Sequence, residues 1–319
     1  MNPQLNFSLT QLHYAWAVFK HGHFGKAAAA CHITQPTLSM QVQKLEDELG
    51  VIIFDRSKKP VLLTEAGKVI IDQIQTILME ANKIEQLIAA TTSDTLQGQL
   101  TVGVIPTIAP YLLPRLLPAL SVRLPNLRLK ISELQTQQII EALNNDEVDV
   151  GILATPLKIH KIHEYPLYYE PFSVLCQKGH PLARQKKIKT ANLTLDDIWL
   201  LEEGHCLRNQ VLDVCTLHQD KSPRRQFEFA SGNLETLKQL VNTYGGYTLL
   251  PHLAIHNLGR DTALIAFERP IPSREIGLVY QRSQYKISLI EALGEAIIDC
   301  LPDEIRKIRP KDLDVLDIN

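Results

Sequence analysis

Two cysteines, Cys206 and Cys215, lie nine residues apart in a polar segment of the chain. Cys206 directly follows His205 and stands two positions before Arg208, and a helix is predicted from residue 207 to residue 218. A helix N-terminus and nearby cations stabilise a thiolate, which is the form of cysteine that attacks peroxides. We therefore expect a lowered pKa for the Cys206 thiol and oxidation chemistry at this position.

The spacing of the two cysteines carries a further expectation. Nine residues of an unbroken helix span about 13.5 Å and end on the opposite face, whereas a disulfide needs Cα atoms within about 7 Å. Cys215 is the nearest cysteine in sequence to Cys206 and is the expected partner of the oxidised residue. Their bonding would require the helix to unwind or move, which would make the pair a switch.

Two other interpretations of this segment remain open. The cysteines can be unrelated, one in a loop and one in the core face of a helix. Alternatively, a zinc ion could be held by four side chains, although their spacing is not that of a standard zinc site. These four are His205, Cys206, Cys215 and His218.

Composition limits the class of protein. The chain has 319 residues, of which 45% are hydrophobic and 21% charged, as expected for globular domains rather than a disordered chain. Because Lys+Arg number 33 and Asp+Glu 35, the net charge of −2 indicates no particular partner. No long apolar run or secretory signal is visible, so we expect no membrane span and a cytoplasmic location. The remaining cysteines, in apolar runs, are expected in cores: Cys31, Cys176 and Cys300.

The first sixty residues contain three predicted helices. Apolar side chains at helical spacing predict a buried stripe on the first: Leu9, Leu12, Trp16 and Phe19. A short alanine-rich helix follows Gly25. The third helix is expected to be capped by Thr34 or Gln35, to carry Pro36 in its first turn and to end at Gly50. Its buried face repeats at steps of four, three and four: Leu38, Val42, Leu45 and Leu49.

The outer face of the third helix carries Met40, Gln43 and small polar residues, as a helix that enters the DNA major groove would. A hairpin wing with three cations follows, Arg56, Lys58 and Lys59, and then an apolar strand at residues 61–63. In residues 1–60 basic side chains outnumber acidic ones only six to four, so the placement of charge supports DNA binding more than its total. A small three-helix bundle with a solvated polar face is the alternative.

A long helix is predicted at residues 64–92, since no proline interrupts it. Its isoleucines form a heptad seam that favours pairing with a second chain, which would set two heads at a fixed separation on DNA. A helix packed on its own domain is the alternative. The seam residues are Ile70, Ile74, Ile77, Ala81, Ile84 and Ile88.

The remainder alternates strands and helices, which predicts parallel sheets in two Rossmann-like lobes. The predicted strands are Gln99–Ile105, Leu127–Leu134, Val148–Leu153, Phe172–Gln177, Trp199–Glu202, Gln226–Phe229, Tyr247–Leu250, Leu264–Phe267 and Ile276–Gln281. The predicted helices are Gln137–Asn144, Leu207–His218, Leu234–Tyr244 and Leu289–Cys300. The segment after residue 302 is charged and is expected to be peripheral.

The head resembles the winged helix-turn-helix of LysR-type transcriptional regulators. The similarity runs from Phe24 through AAAACHITQPTLSMQVQKLEDELGVIIFDR and closes with TEAG at residues 64–67. Carried over to this chain, the resemblance implies that one set of residues faces double-stranded DNA: Gln35, Pro36, Thr37, Ser39, Gln43 and Arg56.

A second set of motifs is similar to the peroxide-sensing branch of the same family. These motifs are EEGHCLRNQ at residues 202–210, GVIPTIAPYLLPRLLP at residues 103–118 and SGNLETLKQLV at residues 231–241. The resemblance, which reaches about residue 300, implies that Cys206 is the peroxidatic and Cys215 the resolving cysteine. It also implies a peroxide pocket formed by Thr107, Thr136, His205, Arg208 and Arg274. Asn209 departs from the aspartate that the family usually has there, which leaves an acidic partner of the site in doubt.

Together these observations predict an α/β protein with an all-α, winged head, a linker helix and a two-lobed, periplasmic-binding-protein-like regulatory module. The expected divisions are a head at 1–63, a linker helix at 64–92, a hinge at 93–97, a regulatory module at 98–302 (lobe I at 98–172 and 273–302, lobe II at 173–272) and a tail at 303–319.

The expected function is that of a non-enzymatic DNA-binding regulator that senses hydrogen peroxide without cofactor or metal. The resemblance implies a dimer or tetramer on a pseudo-palindromic site, contact with RNA polymerase, and resetting by a thiol reductant such as glutaredoxin or thioredoxin. One alternative is a LysR-type regulator that binds a small-molecule effector between its lobes. The other is a thiol peroxidase.

Overall fold

The computed structural model describes residues 6–91, 97–195, 197–215, 231–282, 284, 286–308 and 310–318. The chain divides into two compact units, residues 1–94 and 95–319. The predicted hinge at 93–97 lies outside the described residues except for its last position. Within the described residues, no helix is both long and apolar enough to cross a bilayer.

Three helices and a two-stranded wing form the head. The α3 helix is capped by the Thr34 side chain, which accepts a hydrogen bond from the Thr37 amide, and it ends at Gly50 with a φ of 69°. Both predictions for the ends of this helix are confirmed. The elements are α1 (Leu9–His21), α2 (Phe24–Ala30), α3 (Gln35–Leu49), β1 (Phe54–Asp55) and β2 (Leu62–Leu63), with the strands antiparallel.

The buried face of α1 differs from the predicted stripe. Leu12, Ala15 and Val18 face the core, whereas Leu9 is 52% and Phe19 42% exposed. Positions three residues apart advance by about 300°, so these three small and medium side chains stay on one face of the helix. The prediction is confirmed for Leu12 and for Trp16, which packs against the same core, and wrong for Leu9 and Phe19. It favoured large apolar residues and passed over Ala15, whose small side chain lets α1 approach the other helices closely.

A 27-residue helix, α4 (Glu65–Thr91), follows the wing. Its first turns pack on the head, with Ile71 and Ile74 buried in the same core as α1 and α3. The predicted seam therefore begins as a contact within the chain, which was the alternative interpretation for this part of the helix. Further along, Ile84 is 61% exposed, and the side chain of Ile88 lies outside the described residues.

The regulatory unit contains a mixed sheet in the order β4-β3-β5-β10-β6-β9-β7. Strands β3, β4 and β5 are parallel, whereas β10 is antiparallel to both β5 and β6. The strands are β3 (Gly98–Val104), β4 (Leu127–Glu133), β5 (Val150–Thr155), β6 (Ile162–Gln177), β7 (Lys187–Ile188), β8 (Tyr247–Pro251), β9 (Thr262–Phe267), β10 (Ile271–Gln281) and β11 (Leu313–Val315). The helices are α5 (Ala109–Arg123), α6 (Thr136–Asn144), α7 (Cys206–Val214), α8 (Leu234–Tyr244), α9 (Ile287–Cys300) and α10 (Asp303–Arg306).

Two hydrophobic cores define two lobes. The core of lobe I is built on β3, β4, β5, α5, α6 and α9, and that of lobe II on β8, β9, α7 and α8. The long strands β6 and β10 run through both lobes, so the chain crosses between them twice. The predicted parallel arrangement holds only in part. In lobe I, β3, β4 and β5 are parallel but β10 is antiparallel to β5, and in lobe II β7 is parallel to β9 whereas β6 is antiparallel to both β8 and β9.

Two elements, α5 and the first half of β6, were not predicted because prolines interrupt their sequence patterns. The α5 helix contains Pro114 and Pro118 yet stays helical, since Leu112, Leu116 and Leu120 are buried along one face. Burial of three leucines, about 5–9 kcal/mol, offsets the roughly 6 kcal/mol that two interior prolines cost.

Strand β6 was predicted only from residue 172 onward, yet it begins at residue 162. Pro166 interrupts the sequence pattern, but it pairs with Gly277 next to a register shift in β10, where a lost ladder hydrogen bond is tolerated. The strand predicted at Trp199–Glu202 is wrong, since none of its residues belongs to a strand and only the preceding residue, Ile198, forms an isolated bridge, with Tyr247. The strand predicted at Gln226–Phe229 lies outside the described residues.

The segment after residue 302 is not peripheral, which corrects the prediction. It contains α10, and its strand β11 pairs in parallel with the start of β10. Charged residues alternate there with the apolar side chains Leu316 and Ile318, which pack against the cores of lobes II and I respectively. The few apolar side chains of this segment, Leu316 and Ile318, therefore hold it against the regulatory unit.

Candidate functional site: a buried thiol and a DNA-facing head

Two helices begin at the same place in the regulatory unit. Cys206 is the first residue of α7 and Thr136 the first residue of α6, and the Thr136 Oγ1 and Cys206 Sγ atoms lie 2.9 Å apart. Either of the two groups can be the donor. Because each helix N-terminus carries a partial positive charge, two such ends converge on the thiol. The site therefore suits an atom that becomes negatively charged during reaction.

A buried arginine on β10, Arg274, acts electrostatically on the Cys206 thiol. The Arg274 guanidinium donates to Thr107 Oγ1 at 2.9 Å and to the Thr107 carbonyl at 3.3 Å. It is also paired with Glu170 at 2.7 Å, and the side chains of Arg274 and Glu170 are only 1% and 0% exposed. The second Glu170 oxygen accepts the Leu253 amide at 2.7 Å. The predicted pocket residues Thr107 and Arg274 are thus bonded to each other, although 167 positions separate them.

The pKa of Cys206 differs from the expectation. Burial raises the pKa of this thiol above its ordinary value, although the Thr136 hydroxyl and the positive charge of Arg274 oppose the shift. The prediction of a lowered pKa was wrong, because the cost of burying a thiolate exceeds the stabilisation offered by its neighbours. The opposing charge also comes from Arg274, on a distant strand, and not from the neighbours in sequence.

His205 and Arg208 have other partners. The Arg208 guanidinium donates to the Leu201 carbonyl at 2.8 Å and so fastens the first turn of α7. His205 Nε2 lies 3.4 Å from Gln135 Nε2 and 3.6 Å from Glu202 Oε1, in a nearly buried position between the lobes. These two residues therefore shape the start of α7 and its contact with α6.

The turn before α7 depends on a glycine. Gly204 has a φ of 90°, and a Cβ atom there would lie 2.5 Å from Gln135 Oε1. The left-handed backbone conformation favours glycine here, and any larger residue would also have to displace the flexible end of the Gln135 side chain.

Cys215 lies at the other end of α7 as its C-terminal cap, 1% exposed. Burial raises the pKa of its thiol to about 11, partly opposed by the Tyr247 hydroxyl, which also donates to the Thr194 carbonyl. Both cysteines are free thiols, and an intact α7 separates them. Over nine residues of helix that separation is about 13.5 Å, beyond the reach of a disulfide.

The described residues contain no group of three or more metal-binding side chains of the His, Cys, Asp and Glu types. His218, one of the four side chains of the zinc interpretation, lies outside the described residues. Cys176 is fully buried, as expected of a core residue, whereas Cys31 and Cys300 are only partly buried.

In the head, the predicted DNA-facing residues of α3 lie on its outer side. Gln35, Pro36, Thr37 and Gln43 are exposed, and Ser39 is half-buried. Gln43 Nε2 donates to Asp47 Oδ1 at 3.0 Å, and the hydroxyl of Thr37 lies 2.8 Å from that of Thr34. Polar side chains with such weak local bonds can exchange them for base edges or phosphates.

Arg56 has a structural role in addition to the predicted one. Its guanidinium pairs with Glu46 at 2.7 Å, donates to Ser39 at 3.3 Å and lies 5.0 Å from the centroid of the Phe24 ring. The other Glu46 oxygen accepts the amides of Ile53 and Phe54. Arg56 therefore fastens the wing to α3, while 36% of its side chain remains exposed.

A groove in the head is lined by cations from α2 and from the wing. The sequence prediction included the wing residues Lys58 and Lys59 but missed Lys26, which lines the same groove beside Gln35. No signal in the sequence pointed to Lys26, because it is a single cation in an alanine-rich helix and forms no cluster of basic residues along the chain. In the regulatory unit the sequence analysis also missed Glu170, because its partner Arg274 is 104 positions away.

A winged head with this surface, followed by a two-lobed α/β unit with a partly buried cysteine between the lobes, defines a class: DNA-binding regulators with a sensor domain. Residues 9–68 match the family of bacterial regulatory helix-turn-helix proteins of the lysR type, and residues 93–301 match the LysR substrate binding domain. The chain belongs to the LysR family, as predicted, and is a DNA-binding transcriptional regulator rather than an enzyme. The predicted fold class is confirmed as well, with a mixed sheet in the regulatory unit.

Curated relatives cover most of the chain. It is 37% identical over 292 residues to the "DNA-binding transcriptional dual regulator OxyR" of Escherichia coli strain K12, covering 91% of this chain and 94% of that protein. It is 34% identical to a "Hydrogen peroxide-inducible genes activator" of Haemophilus influenzae, covering 94% and 98% of the two chains.

Solved structures agree. A full-length cysteine-to-aspartate variant of OxyR from Pseudomonas aeruginosa matches with a TM-score of 0.76 and 35% identity, over 96% of this chain and all of that one. A hydrogen-peroxide-bound cysteine-to-serine variant of OxyR from Corynebacterium glutamicum matches with a TM-score of 0.61 and 31% identity, over 93% of both chains.

Proposed function

We propose that this protein regulates transcription in response to hydrogen peroxide, through reversible oxidation of Cys206 and Cys215. One observation carries the proposal: a partly buried thiol at the start of α7 lies 2.9 Å from the hydroxyl of Thr136 and is acted on by the charge of Arg274, which is bonded to Thr107. The relatives named for hydrogen peroxide and OxyR support the same assignment.

In the first step, the thiolate of Cys206 attacks one oxygen of hydrogen peroxide. The O–O bond breaks, hydroxide leaves and takes up a proton to become water, and the cysteine becomes a sulfenic acid. We assign Thr136 and Thr107 to hydrogen bonds with the peroxide oxygens, and Arg274 to stabilising the charge that develops on the leaving oxygen. His205 and Arg208 hold the start of α7 in position.

In the second step, the thiolate of Cys215 attacks the sulfenic sulfur. The S–O bond breaks, the S–S bond forms, and a second water is released, so two thiols and one peroxide give one disulfide and two waters. Since an intact α7 keeps the sulfurs apart, the step requires α7 to unwind. The rearrangement of lobe II is the signal that would reach the DNA-binding heads. A dithiol reductant such as glutaredoxin or thioredoxin would reverse the bond.

The head is proposed to bind a pseudo-palindromic site in double-stranded DNA. Gln35, Thr37, Ser39 and Gln43 would read the major groove, while Lys58 and Lys59 of the wing neutralise phosphates. The exposed Ile84 of α4 offers an apolar surface for a second copy, so we propose a dimer, assembled into a tetramer as in the family. A change in the spacing of the two heads on DNA would then allow the regulator to recruit RNA polymerase. We propose a cytoplasmic location for the protein.

Peptide mapping after one equivalent of hydrogen peroxide tests the proposal. The wild-type protein should yield a bridged peptide that joins Cys206 and Cys215. The Cys215→Ser variant should instead carry a sulfenic acid at Cys206, which a 1,3-diketone reagent traps. An unmodified Cys206 would reject the proposal. A Cys206→Ser variant with a normal peroxide response would favour a small-molecule effector of the interlobe cleft.

A further inference from the structure

The segment that follows the family's sensor domain is built into the regulatory unit. The family match ends at residue 301, yet β11 pairs in parallel with β10 over three residues, from Ile271 to Ser273. The Leu316 amide then donates to the Ser273 carbonyl at 2.9 Å. The next residue of β10 is Arg274, the cation of the peroxide pocket. The segment at residues 313–318, here called the strap, is therefore bonded directly beside the sensing site.

The strap also touches the helix between the two cysteines. Gln210 lies in the middle of α7 and is fully buried, and its Nε2 atom donates to the Leu316 carbonyl at 3.5 Å. The Leu316 side chain packs against the lobe II core, to which α7 contributes Leu207 and Val211. One residue of the strap thus bonds to β10 through its amide and to α7 through its carbonyl.

Contacts at both ends hold the strap in place. Ile318 packs against the core of lobe I, and Asp317 pairs with Lys158 at 2.8 Å. Before the strap, Asp312 lies 3.3 Å from Arg269. These ion pairs are largely exposed and contribute little each, so the apolar contacts of Leu316 and Ile318 carry most of the attachment. The strap consequently joins lobe I, lobe II and the sensing helix.

We propose that the strap is a positioning element that holds α7 in its thiol conformation and thereby sets how readily Cys206 sulfenic acid passes to Cys215. The inference rests on the proposed peroxide-sensing function. Its physical reason is that the contacts of Leu316 with α7 exist only while α7 is folded between the cysteines. Any interaction present in one state alone shifts the equilibrium toward that state. The strap therefore favours the thiol form over the disulfide.

The strap should act on the second chemical step and not on the first. Attack of Cys206 on peroxide leaves α7 intact, so the strap contacts are the same before and after it. Attack of Cys215 on the sulfenic sulfur, with loss of water, needs α7 to unwind and the bond between Gln210 and Leu316 to break. A weakened strap should speed the second step and leave the first unchanged.

The test compares Leu316→Ala with Val315→Ala. Val315 is the neighbouring strap residue, is 37% exposed and is absent from both lobe cores, so it is the matched control. In Leu316→Ala we expect the conversion of sulfenic acid to disulfide to accelerate roughly five- to thirtyfold, from the lost burial of one leucine. The equilibrium constant for disulfide formation in a dithiol buffer should rise by a similar factor. Val315→Ala should change neither by more than about twofold.

Two further measurements distinguish an effect on the second chemical step from a general effect on the regulatory unit. The rate of sulfenic acid formation at Cys206, measured by trapping in a Cys215→Ser background, should be unchanged by Leu316→Ala. A second variant, a chain ending at Ile308, removes the strap without a core substitution and should show the same acceleration.

If sulfenic acid forms at Cys206 but its conversion to the disulfide has the wild-type rate in both variants, the strap inference is overturned and the proposed function stands. Equal effects on the first and second steps would overturn the strap inference as well, because they would indicate general loosening of the unit. Absence of sulfenic acid in the Cys215→Ser background would reject the proposed function, and the strap inference with it.

Discussion

The DNA-facing surface of the head and the sensing site of the regulatory unit are built in opposite ways. The first is exposed and local: Gln35 to Gln43 form one face of one helix, with the wing following within twenty residues. The second is buried and assembled from strands and helices far apart in the chain, as in the pairs Thr107 with Arg274 and Thr136 with Cys206. Recognition of a large partner needs side chains in solvent, whereas a thiol that reacts with one small molecule needs a shielded, pre-arranged pocket.

This contrast predicts that the two functions can be removed independently. Cys206→Ser should abolish the peroxide response of transcription entirely while leaving DNA affinity within about twofold, because we propose the Cys206 thiol as the reacting group and the head is a separate compact unit. Reporter transcription and DNA binding with purified protein measure the two properties. Cys300→Ser, at another partly buried cysteine, is the control and should respond normally. A loss of DNA binding in Cys206→Ser would break the comparison.

Burial should make the sensing site sensitive to loss of a single charge. Arg274→Met leaves the Glu170 carboxylate buried without its partner, and we expect the free energy of unfolding to fall by about 3–5 kcal/mol. The double variant Arg274→Met with Glu170→Gln should recover much of this loss, since a neutral amide still accepts the Leu253 amide. Urea unfolding at pH 7 measures both variants. A double variant no more stable than the single one would contradict the assignment.

The raised pKa of Cys206 predicts how the rate of its oxidation depends on pH. Because burial raises this pKa above the ordinary thiol value, the thiolate fraction grows with pH throughout the range below it. The rate of sulfenic acid formation should therefore rise about tenfold per pH unit, or about a hundredfold from pH 6 to pH 8. Stopped-flow trapping in the Cys215→Ser variant measures the rate, with a simple alkyl thiol as reference. A rate that stays constant between pH 6 and pH 8 would mean that the thiol is activated after all.

The exposed head should respond to substitutions in a graded way. Lys58→Ala should weaken binding to every DNA sequence alike and reduce the salt dependence of the affinity by about one phosphate contact. Gln35→Ala should cost about 1–3 kcal/mol on the preferred site and much less on other sequences. Fluorescence anisotropy at several salt concentrations separates the two. Lys68→Ala, a cation paired with Glu65 on α4, is the control. Identical behaviour of Lys58→Ala and Gln35→Ala would remove the distinction between them.

The smallest expected effect concerns the hydroxyl beside the thiol. Thr136→Val keeps the shape of the side chain and removes one hydrogen bond, so Cys206 oxidation should slow by roughly two- to tenfold. Thr136→Ser retains the hydroxyl and should react at nearly the wild-type rate. Rates at fixed pH and limiting peroxide measure the difference. Equal slowing in both variants would assign the effect to packing of the methyl group instead.

The same contrast explains what could be predicted. The faces and caps of α3 were read correctly because Leu38, Val42 and Leu45 repeat at helical spacing and Thr34 and Gly50 mark its ends. The position of Cys206 at the start of α7 was also predicted, since a helix was expected from residue 207 and the structure begins it at residue 206. Such signals are local, and local sequence carries them in full.

Predictions failed where packing between distant segments outweighed local preference. The prolines of α5 and β6 hid a helix and half a strand, because the burial of leucines and a register shift compensate for missing hydrogen bonds. The pKa of Cys206 was misjudged for a related reason. Its neighbours in sequence, His205 and Arg208, bond to other groups, and the burial of Cys206 depends on how α6 and α7 pack together.

Sequence by itself determined the class of the protein and the order of the elements in the head, and it singled out Cys206 as the candidate reacting cysteine, since each rests on residue types at fixed short spacings. Tertiary structure alone decided that Arg274 is held by Glu170, that the Cys206 thiol is buried against Thr136, and that the segment after residue 301 reaches α7. The physical reason is that burial and charge pairing depend on which distant surfaces pack together, and the spacing of residues along a chain does not specify that.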